Sequence, residues 1–115
     1  MDLDNAVAAH AQWKTKFRTA ITAKASMDAA TIGKDNCCEL GQWLYADGKK
    51  QYGAKPEFTA LVDKHKGFHV EAGKVATLIN AGKYAEAEAA IGGSTTFGAA
   101  STETGVAIMR LKKAI

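Results

Sequence analysis

The chain carries three histidines and two cysteines in 115 residues, and four of those five side chains fall on the apolar stripes of prospective helices. His65 and His69 are four residues apart. On an α-helix that spacing is a rise of about 6 Å at nearly one azimuth, so both imidazoles can face a single ion. Helical zinc sites use this i, i+4 pair. Two imidazoles do not close such a site, because structural zinc takes four N or S ligands. His10 and Cys38 are the further candidates, each on another stretch of chain. A set of three histidines and one cysteine would use every histidine in the protein. One thiolate and three imidazoles suit Zn2+ better than copper or iron. No Glu stands three residues before His65 or His69, against a carboxylate di-iron bundle, and no Cys-x-x-Cys-His run offers haem attachment. Alone, a histidine on an apolar stripe is ordinarily a core or rim residue, and a buried cysteine a small hydrophobe. The joint placement is what points to metal.

The elements that must position these residues read as helices. Alanine is abundant and there is one proline. From Asp2 to Ala25, Leu3, Val7, His10, Trp13, Phe17 and Ala20 or Ile21 recur at helical steps, with Asp2 and Asp4 at the electropositive N-terminal end. Ser26 to Asn36 reads as a loop. Asp35 or Asn36 would cap a short second helix. Cys38, Gly41 or Gln42, and Tyr45 share one face of it, and Asp47-Gly48 ends it. Lys49 to Lys55 reads as a polar linker. Pro56 opens a long helix whose stripe runs Phe58, Leu61, His65, Phe68 or His69, Ala72, Val75 and Ile79, stopped at Gly82. Lys83 to Ile91 is a short helix. Ser94 would cap a last one with the stripe Phe97, Ser101, Thr104, Ile108, Leu111 and Ile115. The expected fold is all-α: an up-and-down helix bundle, four-helix-bundle-like, with an extra short helix carrying the cysteine. Trp13, Trp43, Phe17, Phe58, Phe68 and Leu61 read as core. Lys64 and Lys66 read as a solvated face, and Asp63 or a backbone carbonyl is the expected partner for a ligand imidazole.

Composition narrows the class. Apolar residues are 47% and charged residues 23% of the chain, with a net charge of +3, as expected of one globular domain over 1–115. The basic residues are scattered, which argues against nucleic acid. No run of 18 apolar residues is present, so no membrane span is expected. The acidic Met1-Asp2-Leu3-Asp4 start is unlike a secretory leader. The expected location is cytoplasmic, with no membrane contact by this domain. Cys37 and Cys38 are adjacent. Neighbouring Cα atoms lie about 3.8 Å apart, whereas disulfides prefer roughly 4.4–6.8 Å, so free thiols are expected.

The runs His10-Ala11-Gln12-Trp13, Cys38-Glu39-Leu40-Gly41-Gln42-Trp43-Leu44 and His65-Lys66-Gly67-Phe68-His69, followed over about Leu3 to Leu111, resemble the chemoreceptor zinc-binding domain family. The resemblance implies an all-α, homodimeric, cytoplasmic zinc domain attached to a chemotaxis receptor (methyl-accepting) or a diguanylate cyclase (GGDEF output). It implies His10, Cys38, His65 and His69 as the zinc ligands and Cys37 as a non-ligand. It also implies a response to hypochlorous acid at the zinc-bound cysteine. The stripe still running at Ile115 suggests a domain cut from such a larger protein. A closed four-ligand site is regulatory, so no enzyme activity is expected. Three other readings stand beside it. One is a catalytic three-histidine zinc site with water as fourth ligand. Another is a metal-free helical interaction module. The weakest is a thiol redox domain using Cys37 and Cys38.

Overall fold

The structure, a computed structural model, describes residues 1–115. It is all-helical: α1 (Leu3–Ala11), α2 (Trp13–Ala23), α3 (Ala29–Ile32), α4 (Glu39–Leu44), α5 (Asp47–Tyr52), α6 (Pro56–Asn80), α7 (Tyr84–Ala90) and α8 (Thr96–Ala114). The long α6 is the centre. It packs most extensively against α8, and also against α2, α3 and α7, while α1 lies along α8. The expected bundle is therefore present.

Local chemistry explains the boundaries. The Asp2 carboxylate accepts from the Asn5 amide at 3.1 Å and opens α1. The first helix is interrupted at Gln12, whose backbone stays right-handed (φ −70°, ψ −17°), so α2 continues onward to a left-handed Lys24 (φ 52°). Pro56 starts α6 as expected. At its other end Gly82 has φ 76°, and the Lys83 amide returns to the Leu78 carbonyl at 2.9 Å, a closure that a left-handed residue permits.

Several expected boundaries are corrected. The Ser26–Asn36 loop contains a helical turn, α3, held by Asp28, which accepts from the Thr31 amide at 3.2 Å and its hydroxyl at 2.7 Å. Asp47-Gly48 begins α5 instead of ending a helix, so much of the Lys49–Lys55 linker is helical. Thr95, not Ser94, caps α8 through the Gly98 amide. Tyr45, expected on the Cys38 face of the second helix, and Ile115, expected on the last stripe, are exposed.

The apolar interior forms two clusters. One gathers Phe17, Ile32, Phe68, Ala72, Val75, Ile79, Ile91 and Phe97. The other gathers Leu3, Ala6, Leu40, Leu44, Phe58, Leu61, Ile108 and Leu111. Trp13 packs against the first and Trp43 against the second, both partly buried. Burying each large side chain contributes roughly 1.5–3 kcal/mol. Between Ala6 and Phe17 lies His10; between Leu61 and Phe68 lies His65. The histidines occupy the layer where the two clusters meet.

Candidate metal centre

The four sequence candidates arrive together from three directions. His10 comes from α1, His65 and His69 from α6, and Cys38 from the residue that opens α4. His10, His65 and His69 are buried, and Cys38 is half-buried. One donor atom from each lies within 4.8 Å of all the others. The Cys38 Sγ is 3.2 Å from His65 Nε2, 3.5 Å from His69 Nε2 and 3.9 Å from His10 Nε2. His65 Nε2 is 3.1 Å from His10 Nε2 and 3.0 Å from His69 Nε2. A tetrahedron with Zn–N near 2.0–2.1 Å and Zn–S near 2.3 Å has edges of about 3.3–3.6 Å, so the set is close to that size.

Proton placement decides what this cluster needs. His10 Nδ1 donates to the Ala6 carbonyl at 2.8 Å, and His69 Nδ1 donates to the Ile32 carbonyl at 2.8 Å. In neutral imidazoles, each Nε2 is then a bare lone pair. Both lone pairs face His65 Nε2, which has at most one hydrogen to offer. The Cys38 thiol, kept protonated by burial, holds the other hydrogen, so the neutral cluster has two hydrogens among its four donor atoms. The rings gain no further hydrogens near neutral pH, because burial pushes all three imidazoles below their ordinary value of 6.5. His65, further opposed by charge on His69 and His10, is pushed down to about 3. A cation accepting four lone pairs can take the place of both hydrogens, and a donor set of three imidazole nitrogens and one sulfur fits zinc.

The cysteine is held by its helix. Cys38, not Asp35 or Asn36, is the N-cap of α4, and its sulfur accepts from the Gly41 amide at 3.3 Å. Burial pushes the thiol up, and the amides of Gly41 and Leu40 oppose that shift. A bound cation would hold it as thiolate. Gly41 admits the preceding loop: a Cβ there would lie 1.7 Å from the Asp35 carbonyl oxygen. Asp35 in turn accepts from the Tyr45 hydroxyl, which pushes that phenol up to about 12. The segment bearing Cys38 is thus clamped onto α4 from both sides.

Cys37 is exposed and lies outside the cluster, its Sγ near Asn36 Oδ1 at 3.5 Å. Asp63 is exposed and orients none of the imidazoles; backbone carbonyls take that role. Ala6 supplies the carbonyl four residues before His10, a relation visible in helical numbering. Ile32 could not be found that way, because it depends on how α3 meets α6. A cleft of about 180 Å³ between α1 and α4 reaches His10 and Cys38, with Trp13, Lys16 and Glu39 on its walls. The Lys16 ammonium lies over the Trp13 ring, 4.6 Å from its centroid.

An all-α fold with three imidazoles and a thiol clustered at its core is the description of a helical metal-binding domain. The family comparison is more specific: the model of the chemoreceptor zinc-binding domain matches residues 10–76, and the chain belongs to that family. The match is shorter than the Leu3–Leu111 stretch suggested by the motifs, yet it starts on His10 and includes Cys38, His65 and His69. Neither the curated proteins nor the solved structures gave a match. No helix is long and apolar enough to cross a membrane.

Proposed function

We propose that the chain is a regulatory zinc sensor domain of a bacterial signalling protein, with His10, Cys38, His65 and His69 as a closed ligand set. The observation that supports it is the convergence of four donor atoms, three imidazole nitrogens and one sulfur, at separations close to the edges of a zinc tetrahedron. Bound zinc supplies charge and a cross-link, on the order of 10 kcal/mol of apparent folding free energy by comparison with small zinc domains. Four protein donors leave no position for water, so the reading is regulatory and not catalytic. His10 ties α1, Cys38 ties α4, and the histidine pair ties α6 to one point.

The regulated element is the Cys38 segment. A zinc-held thiolate is the species that oxidants such as hypochlorous acid attack, and sulfenic acid is a poorer ligand. Loss of the sulfur would free the start of α4 while three imidazoles remain. The proposed setting is cytoplasmic, as a homodimer within a chemotaxis receptor or a diguanylate cyclase, following the family. Elemental analysis should find one zinc per chain, falling with Cys38→Ala. Zinc retained with unchanged affinity in that variant would favour an open three-histidine site instead. Hypochlorous acid doses that oxidise exposed methionines while leaving Cys38 unmodified would defeat the redox role.

A further inference from the structure

Three of the four donors are steadied from behind by the backbone: His10 by the Ala6 carbonyl, His69 by the Ile32 carbonyl, Cys38 by the Gly41 amide. His65 is not. Its Nδ1 is buried without a hydrogen-bond partner, and the residue is fully inaccessible. If Nε2 of His65 faces the cation, Nδ1 must carry the hydrogen, and a buried N–H without an acceptor is strongly disfavoured.

The buried polar residues of this chain are His10, His65, His69 and Thr104. Three are the clustered imidazoles. The fourth, Thr104, stands on the otherwise apolar face of α8 beside Ala107, Ile108 and Leu111. Its hydroxyl donates to the carbonyl of Lys64, the residue before His65, at 3.1 Å. Donating uses the one hydrogen and leaves the oxygen free to accept.

We propose that Thr104 is the positioning residue for His65: no acceptor lies within hydrogen-bond distance of Nδ1, so the Thr104 oxygen receives the Nδ1–H through a single bridging water. This rests on the zinc reading for its consequence. It extends the site onto α8, beyond the part of the chain that the family model matches.

The test compares wild type, Thr104→Val and Thr104→Ser by zinc competition against a chromophoric chelator and by 15N NMR of the imidazoles. Losing such a partner typically weakens metal binding 10- to 100-fold. Thr104→Val should lose about tenfold and Thr104→Ser should stay near wild type. In zinc-loaded wild type the His65 Nδ1–H should be slow to exchange and show a nuclear Overhauser contact to the Thr104 side chain. An unchanged affinity in a folded Thr104→Val protein, with its His65 Nδ1–H equally slow to exchange, would overturn the proposal. Should Thr104→Val fail to fold, the wild-type spectrum decides: a His65 Nδ1–H with no contact to Thr104 overturns it. Zinc stoichiometry from elemental analysis separates the two readings: a chain that binds no zinc ends the sensor reading, whereas zinc bound with unchanged affinity in Thr104→Val ends this one.

Discussion

The Nδ1 of His69 donates to the carbonyl oxygen of Ile32 across 2.8 Å, which joins the donor cluster to a four-residue turn, α3, far from it in sequence. That turn sits close because Gly33 meets Gly73 on α6: a Cβ on Gly73 would come within 2.9 Å of the Gly33 Cα. Gly73→Ala should therefore push α3 away from α6 and lengthen the His69–Ile32 bond. We expect about 1–3 kcal/mol of lost stability and roughly tenfold weaker zinc binding, read by thermal melting and chelator competition. Lower stability with full affinity would show that Ile32 does not steady His69.

Cys38 has two separable jobs, capping α4 and facing the imidazoles. Cys38→Ser keeps a capping oxygen and loses the soft thiolate; Cys38→Ala loses both. In metal-free protein the serine variant should be more stable than the alanine variant by about 1 kcal/mol. Both should bind zinc far more weakly than wild type. Equal metal-free melting of the two variants would refute the capping role.

Gly41→Ala meets backbone, not a flexible side chain, at the Asp35 carbonyl. The Asp35–Cys38 segment would have to leave α4. The expected outcome is a loss of more than about 2 kcal/mol, in the range of severe overpacking. Tyr45 would lose its Asp35 acceptor in the same event. A phenol titrating unchanged, well above 10, in a stable Gly41→Ala protein would contradict this account.

Acid should destabilise the metal-free protein from about pH 6.5 downward. The unfolded chain takes up protons on histidine near its ordinary value of 6.5, while folded His65 resists until about 3, and His10 and His69 shift in the same direction. In that window the unfolded state binds more protons, so stability falls as pH falls, by up to about 1.4 kcal/mol per pH unit for each histidine. Above 6.5 the histidines contribute no slope. Urea midpoints measured from pH 7.5 to 5 would reveal it, and His65→Gln should flatten the curve. A flat wild-type curve would mean the rings are not held neutral.

The sequence exposed the four donors because His10, His65 and His69 obey the same 3.6-residue period as the apolar residues around them, and because helical numbering alone aligns His65 with His69. Long α6 was legible from Pro56 to Gly82 for the same reason. The short elements were not. α3 and α5 are too brief to show a period, and Asp47-Gly48 resembles a stop although Gly48 is there to clear Trp43, whose ring a Cβ would approach to 2.8 Å. Capping misled at α4, since Asp35 and Asn36 are the better caps by residue type, yet Asp35 is engaged by Tyr45 and the sulfur takes the position. Thr104 is a polar residue on the last stripe; its burial depends on α8 lying against Lys64, which no local pattern reveals.

The histidine layer divides the greasy interior into two lobes, one holding Phe17 and Phe68, the other Leu40, Leu44 and Phe58. A continuous core would melt as one body. Here α6 and α8 each run through both lobes, and an ion fastened at the seam of rings between them would add a tie that also draws in the first helix and the cysteine turn, so that its release would loosen those two before the long pair.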